Sequence, residues 1–487
     1  MTDFSEKSAL EPDDWTAFRQ RAQQTLDRAL DRLEQAGTGR VWSPVPENVD
    51  AQLDRALVDA PLAADSVDAA LASLLPYGVG NTHPRFLGWV HGSGTPFGLL
   101  PAIIEASINA NCGGRDHVGL RVEHALTRWV AEQFRFPESA SGLVVTGTSM
   151  ATVVAMKVAR DAALDFASRE AGIDGSKLVA YTSAEAHACN ARALDILGLG
   201  TSALRKIPVN DAFRMDLSAL RAAIDQDRAA GLVPFAIIGT AGTVNTGAID
   251  ELDGVADVAD EEGIWFHVDG AFAASGILSE VVAPRLRGIE RAHSIAFDFH
   301  KWLHVNYDSG FVLVRDEVLH RRAFSTRPEY LKATERGLAA GNPWPVEYGP
   351  ELSRGFRALK VWAHIAEFGP ERLGAAISEN CYLVRTLAAL VDEAASFERL
   401  APVETSICCF RYVVDGLSEA ELDALNEEIV VRLQETGVAA PSTTKVKGKL
   451  AIRANITNHR TREADLHVLL DAIRDIAPQA LERIRHV

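Results

Sequence analysis

The sequence predicts an α/β protein whose centre is a mostly parallel sheet. Between about residues 140 and 315, short continuous apolar runs alternate with longer segments of helical periodicity. This pattern is typical of strands that helices cover on both faces. Polar residues follow several of these runs, as expected where strand ends form a cleft. The predicted strands span residues 143–145, 178–181, 235–238, 264–268, 294–297 and 311–314.

The N-terminal region predicts an amphipathic helix from about residue 13 to about residue 35. Apolar residues, among them Trp15, Phe18 and Leu26, recur there at helical spacing. Such a helix must bury its apolar stripe on another domain or on a second subunit. Short helical pieces interrupted by prolines follow, and we assign residues 1–82 to an N-terminal helical arm.

The rest of the chain is predicted to form two further domains. Residues 83–365 contain the predicted parallel sheet and form a large domain. Residues 366–487 form a small C-terminal α+β domain, with strands at 408–413 and 450–454 and a last helix from about Glu463. Glycines and prolines concentrate in residues 324–350, and a loop of this length is usually functional or disordered.

Composition excludes some classes of protein. The formal net charge of −17 argues against a nucleic-acid partner, which requires a basic surface. No apolar run of membrane-spanning length occurs, and the first residues do not resemble a secretory signal, so we expect no membrane association. The five cysteines form no C-x-x-C pair, which favours a reducing compartment such as the cytoplasm.

An anion site is predicted where the strand at 143–145 ends. Gly147 turns the chain, Thr148 and Ser149 follow, and residues 150–160 have helical periodicity. Backbone amides at a helix start, together with two hydroxyls, suit a phosphate. Hydroxyl residues at this place also act as plain helix caps, so the turn alone does not decide the matter.

Lys301 and Asp269 are the most informative residues of the sequence. Each ends or closely follows a predicted buried strand, where a charged side chain is costly unless it serves a cleft. Pyridoxal phosphate requires both, a lysine amine for a Schiff base and a carboxylate beside its ring nitrogen. A helix cap explains Asp269 equally well, and an exposed Lys-Trp pair is the alternative for Lys301.

Histidines complete the candidate set. His187 follows the strand at 178–181, where its ring would stack on the cofactor opposite Ala271, although a buried structural histidine is the alternative. His300 precedes Lys301 and would reach the phosphate or the lysine. His300 and His304 have the spacing of zinc ligands, but without H-E-x-x-H or a third ligand we predict no metal.

These residues occur in motifs that resemble the group II pyridoxal-phosphate-dependent amino acid decarboxylases, the family of aromatic-L-amino-acid, histidine, glutamate and diaminobutyrate decarboxylases. The resemblance covers nearly the whole chain. The matching motifs are NTHPRF at 81–86, GTSMAT at 147–152, AH at 186–187, HVDGAF at 267–272, FHKW at 299–302, RGFRALK at 354–360 and ITNHRT at 456–461. The family implies a fold-type I homodimer with its active site at the subunit interface and an N-terminal arm that wraps the partner.

The resemblance also implies a role for each candidate residue. Lys301 would be the Schiff-base lysine, and Tyr330, in a segment that is similar to the family's mobile loop, would protonate the substrate carbon after carbon dioxide leaves. The implied cofactor-binding residues are Thr148, Ser149, His187, Thr243, Asp269, Ala271, His300 and Lys301, of which Lys301, His187 and Asp269 join Tyr330 as catalytic residues.

The sequence departs from the family in two places. Many relatives have asparagine where Asp298 stands, and a carboxylate beside a phosphate is unfavourable, so Asp298 either turns away or has a different partner. The substrate pocket of aromatic enzymes corresponds to segments that here contain Trp89, His91, Arg115 and His117, which suggests a more polar pocket, although Arg115 and His117 serve equally well as structural residues.

The predicted reaction is the α-decarboxylation of an L-amino acid, aromatic or related, to the amine and carbon dioxide. An oxidative aldehyde synthase is the first alternative, and the presence of both Tyr330 and His187 favours simple decarboxylation. An aminotransferase is the second, with Arg453 as the residue that would bind the substrate carboxylate. A non-catalytic dimeric binding protein is the third, and intact Lys301 and Asp269 argue against it.

Overall fold

A computed structural model describes residues 10–56, 62–173, 175–325 and 334–486. Two sheets organise these residues, and helices surround both. Across these ranges, no helix combines the length and the apolar run that crossing a bilayer requires. The predicted α/β class is confirmed.

The helices of the described residues are α1 (Trp15–Glu34), α2 (Glu47–Ala56), α3 (Ala64–Leu74), α4 (Leu99–Ile108), α5 (Val118–Gln133), α6 (Thr148–Ala163), α7 (Ser168–Ala171), α8 (Cys189–Ile196), α9 (Leu217–Ala229), α10 (Leu252–Glu262), α11 (Glu317–Phe324), α12 (Arg357–Glu393), α13 (Glu419–Thr436) and α14 (Glu463–Arg485).

The larger sheet has seven strands. Six of them run parallel, and the strand from Gly310 to Val314 runs against them between two parallel neighbours. All six strands predicted for this region are present. Five are longer than predicted by one to four residues, and the strand predicted at 264–268 begins and ends one residue later, at Trp265–Asp269. The sequence prediction missed the edge strand Leu204–Ile207. Numbered with the short Phe86–Leu87 strand as β1, they are β2 (Ser141–Val145), β3 (Leu178–Ser183), β4 (Leu204–Ile207), β5 (Val233–Thr240), β6 (Trp265–Asp269), β7 (Ser294–Asp298) and β8 (Gly310–Val314), in the spatial order β2-β8-β7-β6-β5-β3-β4.

Both faces of this sheet are buried, which explains why its strands have continuous apolar sequences. Along β2, Leu143 and Val145 belong to the core that α6 covers, whereas Val144 between them belongs to the core on the α5 side. Successive side chains of a strand point to opposite faces, so two cores require apolar residues at every position. Because the six parallel strands end at one edge, their C-terminal residues form one side of a cleft.

The smaller sheet has five strands and is mostly antiparallel. Its order is β1-β11-β12-β10-β9, with β9 (Phe397–Arg399), β10 (Ile407–Tyr412), β11 (Ala440–Val446) and β12 (Lys449–Asn455). Helices α13 and α14 pack on it around a separate apolar core. β1 pairs with β11, so a segment from the start of the predicted large domain enters this sheet. The division of the chain at residues 82 and 365 stays a prediction.

Two helices have features that the sequence explains. α1 begins after Asp14, whose carboxylate accepts the amides of Thr16 and Ala17, and none of its residues is buried within the chain. Its apolar stripe is therefore uncovered, with Trp15 56% exposed. α12 is broken at Gly369 (φ 69°), and Pro370 begins its second half, a position that suits proline.

Candidate active site

A cavity of about 530 Å³ opens at the C-terminal edge of the parallel strands. The residues that line it come from the segments after β2, β3, β5, β6 and β7, and from two loops at its mouth. Nine residues predicted from the sequence line it together: Trp89, His91, Thr148, Ser149, His187, Asp269, Ala271, His300 and Lys301. The fold thus brings together residues that lie up to about 200 positions apart.

The anion end of the cavity is the turn between β2 and α6. Thr148 is the first residue of α6, and its Oγ1 is buried without a hydrogen-bond partner among the described residues. The Thr148 amide donates to Asp298 Oδ1 at 2.7 Å. β8 approaches closely here, because a Cβ at Gly310 would overlap the backbone of Gly147 and lie 2.8 Å from Asp298 Oδ1. A buried hydroxyl at a helix start fits a phosphate oxygen.

The Lys301 amine is held by Asp298. Lys301 Nζ lies 2.8 Å from Asp298 Oδ2, and the carboxylate is almost wholly buried. Burial alone would lower the pKa of Lys301, but the charge of Asp298 and the hydrogen bond to it outweigh burial, so the pKa lies above its ordinary value. Asp298, the residue at which the sequence departs from the family, therefore pairs with Lys301, three residues later.

The orientation of His300 is fixed by its surroundings. Its Nδ1 accepts the backbone amide of Ser309 at 3.0 Å, and its ring stacks on Tyr307 with 4.3 Å between centroids. Burial lowers the pKa of His300, which keeps the imidazole neutral near pH 7 even though Asp298 opposes the shift. His304 points elsewhere, since its Nδ1 contacts Ser93 Oγ beside His459.

Asp269 is the last residue of β6 and lines the cavity. Three neighbouring groups donate hydrogen bonds to its carboxylate. Its Oδ2 accepts Asn190 Nδ2 at 3.1 Å and the Cys189 thiol at 3.7 Å, and its Oδ1 accepts the amide of Ala271 at 3.3 Å. The side chain is 3% exposed. The bond to the amide two residues later resembles a cap, yet no helix begins there, so the cap alternative does not account for the position of this carboxylate.

His187 lies in the segment between β3 and α8. Its Nδ1 accepts the amide of Cys189 at 3.1 Å, which fixes the ring orientation. Burial lowers the pKa of His187, and Lys301 lowers it further against an opposing effect of Asp269. A neutral, oriented imidazole at the cavity wall fits a flat ring stacked on it.

Aromatic rings form the mouth of the cavity. Trp89 and His91 lie with ring centroids 5.9 Å apart, and His91 meets Tyr307 edge-on at 6.4 Å. The hydroxyl of Tyr307 accepts the amide of Gly92 at 3.3 Å, which holds the two loops together. Sequence reasoning missed Tyr307, because it lies in the irregular return from β7 to β8, where no periodic pattern indicates orientation.

The remaining predicted residues lie outside the cavity lining. Thr243 is fully buried and its Oγ1 contacts Thr246 and the amide of Ala248, so it stabilises the turn after β5. Arg115 lies over the Trp344 ring in a separate cleft, and His117 caps α5 by accepting the amide of Gly119. Their assignment to the substrate pocket stays a prediction, and Tyr330 lies outside the described residues.

Arg453, the residue that would serve an aminotransferase, is held by backbone carbonyls. It is 2% exposed, and its guanidinium donates to the carbonyl oxygens of Trp89, Val244 and Asn245. None of these bonds involves a carboxylate, and burial lowers the pKa of Arg453 to about 10. The guanidinium joins two segments that line the cavity.

Comparison with known proteins identifies the family. Residues 46–413 match the model of the pyridoxal-dependent decarboxylase conserved domain. The chain belongs to the pyridoxal-dependent decarboxylase family. An aromatic-L-amino-acid decarboxylase from Bacillus atrophaeus is 32% identical over 95% of this chain and 96% of its own length. A phenylacetaldehyde synthase from Arabidopsis thaliana is 28% identical over 87% of this chain and 88% of its own.

The solved structures agree with this assignment. A crystal structure of Oryza sativa TDC with PLP and tryptamine has a TM-score of 0.88 and 25% sequence identity, and the match covers 97% of this chain and 100% of that one. The fold is therefore the fold-type I architecture of pyridoxal-phosphate decarboxylases. This decarboxylase uses pyridoxal phosphate as its cofactor and is a carboxy-lyase.

The residues of the cavity fit that cofactor. The unpartnered Thr148 hydroxyl and the start of α6 suit a phosphate, Lys301 would offer the amine, and Asp269 would offer a buried carboxylate in the same cavity. His187 and Ala271 also line the cavity and would contact the cofactor ring. When bound, pyridoxal phosphate supplies an aldehyde for an amine and a ring that accepts electrons from the bond being broken.

Proposed function

We propose that this decarboxylase removes the α-carboxylate of an aromatic L-amino acid as carbon dioxide and releases the amine. The observation that carries the proposal is the make-up of the cavity mouth, where Trp89, His91 and Tyr307 present their rings. Aromatic side chains bind other aromatic rings through edge and offset-stacked contacts and through the burial of a large apolar area.

The charges of the cavity support the same class of substrate. Apart from histidines, its described lining contains three acidic or basic side chains, namely Lys301, Asp269 and Asp298. All three have proposed partners in the cofactor or in one another. The charged side chain of glutamate or diaminobutyrate would have no partner in this cavity. Burying an unpaired charge costs on the order of several kcal/mol of binding free energy. An aromatic side chain carries no such charge.

Each residue has a proposed part in the reaction. Lys301 would bind the cofactor through Nζ, and the same atom would hold a proton after the substrate amine has taken its place. Asp269 would keep a proton on the cofactor ring nitrogen, and the neutral His187 would stack on the ring. Tyr330 would donate the proton that replaces the lost carboxylate.

Oxidative decarboxylation is the second candidate, because the phenylacetaldehyde synthase from Arabidopsis thaliana shares 28% identity with this chain. The sequence keeps both His187 and Tyr330, which favours release of the amine. Aminotransfer has less support, since Arg453 is bound to backbone carbonyls and does not line the cavity.

A product assay tests the proposal. The loaded enzyme is incubated with L-tyrosine, L-tryptophan, L-phenylalanine, L-glutamate and L-2,4-diaminobutyrate, each with and without pyruvate as the acceptor of an amino group, and carbon dioxide, amine, hydrogen peroxide and keto acid are measured together. We expect carbon dioxide and amine in equal amounts from an aromatic substrate, with no peroxide. Peroxide in equal amount to carbon dioxide would assign the oxidative reaction, and keto acid without carbon dioxide would assign aminotransfer. Turnover of glutamate above that of every aromatic amino acid would refute the substrate class.

We propose that the enzyme is a homodimer whose interface borders the cavity. One face of α4 exposes four large apolar residues, Leu100, Ile103, Ile104 and Ile108, and the stripe of α1 is also uncovered. Exposed apolar surface of this extent is typical of interfaces. We expect Ile104→Glu to convert the dimer to monomer in light scattering, whereas Ile196→Glu, at an equally exposed isoleucine of α8, leaves it dimeric. A monomeric parent enzyme would refute this proposal.

We propose a cytoplasmic location, which the five unpaired and buried cysteines favour.

We also propose that the arm, the large domain and the small domain divide near residues 82 and 365. The separate apolar core of the C-terminal sheet supports the second boundary. Limited proteolysis that cuts first near these positions would support the division, and first cuts within the sheets would oppose it.

A further inference from the structure

Asn190 lies directly behind the Asp269 carboxylate and outside the cavity lining. Its side chain is fully buried, and its Nδ2 donates to Asp269 Oδ2 at 3.1 Å. Asn190 and Cys189 are the first two residues of α8, the helix that follows His187. The start of one helix thus orients two parts of the site, the stacking histidine through an amide and the carboxylate through two side chains.

The bonds to Asp269 fix the rotation of its carboxylate. Asn190 Nδ2 and the Cys189 thiol both bind Oδ2, and the Ala271 amide binds Oδ1. The Cys189 contact is long at 3.7 Å and a thiol is a weak donor, so the amide of Asn190 is the stronger of the two side-chain bonds. A hydrogen bond to an ionised group is about twice as strong as one between neutral groups.

A purely structural role explains Asn190 less well. A buried amide is costly unless it is hydrogen-bonded, and a leucine of similar size would fill the same space without that cost. The Asn190 side chain makes its hydrogen bonds only with Asp269 and Cys189 among the described contacts, and both of these residues line the cavity. The donor is therefore directed at the site.

We propose that Asn190 is a positioning residue for the reaction, which holds the Asp269 carboxylate in the orientation that keeps the ring nitrogen of pyridoxal phosphate protonated. The proposal rests on the proposed role of Asp269. Without the donor, the carboxylate rotates about its Cβ–Cγ bond and its contact with the ring weakens. The ring then loses its proton and accepts electrons less well, which slows the bond-breaking step without changing substrate contacts.

The test uses enzyme loaded with cofactor that carries 15N in its ring, because the 15N resonance reports directly whether that nitrogen is protonated. The variants are Asn190→Leu, Asn190→Ala and Cys189→Ser. Asp269→Asn serves as the reference for a lost carboxylate. Asn426→Leu is the matched control, since Asn426 is also fully buried and hydrogen-bonded, but to Tyr412 in the smaller sheet.

We expect Asn190→Leu to move the 15N resonance toward that of unprotonated pyridine, to weaken cofactor binding and to lower kcat, each of the last two by about tenfold. The KM for substrate should stay within about twofold, because no substrate contact is removed. Cys189→Ser keeps a donor and should retain the protonated resonance. If Asn190→Leu does not fold, Asn190→Ala decides in its place, because it removes the donor without adding an apolar side chain.

The outcomes separate the two levels of the argument. A protonated resonance in Asn190→Leu or Asn190→Ala, together with loss of the proton in Asp269→Asn, refutes the role of Asn190 and leaves that of Asp269 intact. A protonated resonance in Asp269→Asn refutes the role of Asp269, and the role of Asn190 with it. A 15N shift in Asn426→Leu as large as in Asn190→Leu would show a general effect of removing a buried amide and would also refute the proposal.

Discussion

Asp298 Oδ2 and Lys301 Nζ lie 2.8 Å apart, so the lysine that we assign to cofactor binding forms an ion pair with the carboxylate three residues before it. The other oxygen of the same carboxylate accepts the Thr148 amide at the start of α6. One side chain therefore joins the two ends of the cofactor site, the phosphate end and the amine end. It also accounts for a residue that the sequence alone left without a role.

The first prediction concerns the reactivity of Lys301. The pair with Asp298 keeps the pKa of Lys301 high, and a protonated amine does not react with an aldehyde. Asp298→Asn keeps an acceptor for the Thr148 amide but removes the charge. We expect the cofactor-free variant to take up pyridoxal phosphate faster than wild type near pH 7, with the rate reaching its plateau at lower pH. The measurement is stopped-flow absorbance of cofactor uptake across a pH series.

The control for this prediction is Asp308→Asn, which removes an exposed carboxylate that pairs with Arg357 outside the cavity lining. It should leave the pH dependence of uptake unchanged. Identical pH profiles for wild type and Asp298→Asn would show that the ion pair does not govern the amine.

The second prediction concerns a buried ion pair that supports β2. Arg354 and Glu123 are 4% and 3% exposed and form two bonds, at 2.9 and 2.6 Å. Val144 in β2 bonds to both side chains, because its amide donates to Glu123 and its carbonyl oxygen accepts from Arg354. Arg354→Met leaves a buried carboxylate without its partner, which should lower the free energy of unfolding by about 3–5 kcal/mol. Chemical denaturation gives this value.

A double-mutant cycle with Glu123→Gln checks the cause. The Glu123→Gln/Arg354→Met pair should lose less than the sum of the single losses, because neither side chain then carries a buried charge. Additive losses would mean that the pair is not coupled.

The third prediction concerns pH and His320. Burial lowers the pKa of His320 to about 4, and its neutral ring contacts Ser141 Oγ and the Tyr348 carbonyl. A pKa below the unfolded value of 6.5 means that the stabilisation is complete above pH 6.5 and is lost as the pH falls from 6.5 toward 4. His320→Gln should remove on the order of 1–3 kcal/mol of this pH-dependent part.

Thermal unfolding between pH 7.5 and pH 4.5 measures the effect. The comparison is His467→Gln, at a histidine whose side chain is 54% exposed, which should follow the wild-type curve. If His320→Gln loses stability in parallel with wild type over the whole range, protonation of His320 does not contribute to acid unfolding.

The fourth prediction concerns the mouth of the cavity. Trp89→Leu removes one ring of the aromatic wall while the Arg453 and Asn455 bonds to its backbone carbonyl can stay. We expect kcat/KM for aromatic substrates to fall by about tenfold, which corresponds to the loss of ring contacts and apolar area. The visible absorbance of the bound cofactor should not change. An unchanged kcat/KM would place the substrate ring elsewhere.

Much of the fold could be predicted from the sequence because the central strands are buried on both faces. Such strands are continuous apolar runs, so the segments ending at Val145, Asp269 and Asp298 could be recognised without knowledge of their neighbours. The edge strand β4 was missed, because its sequence Leu204–Ile207 has charged residues at its two middle positions. β1 was missed because two residues carry no periodicity.

The part of the site that could be predicted consists of residues that come after strand ends in the sequence. Thr148, His187, Asp269 and Lys301 follow the ends of predicted strands within six residues, and parallel strands bring their ends together. Partners that depend on side-chain direction were not predictable in this way. Asn190 is separated from Asp269 by 79 positions, and neither its depth nor its direction follows from the composition of α8.

The central claim, that Lys301 holds pyridoxal phosphate in this cavity, is tested most directly by reduction with borohydride followed by peptide mass spectrometry. Borohydride fixes the cofactor to the amine that carries it. The account predicts that the added mass lies on the peptide containing Lys301, and that Lys301→Ala shows neither this mass nor the visible absorbance of bound cofactor. Added mass on a different lysine of the wild-type enzyme, with Lys301 unmodified, would contradict it.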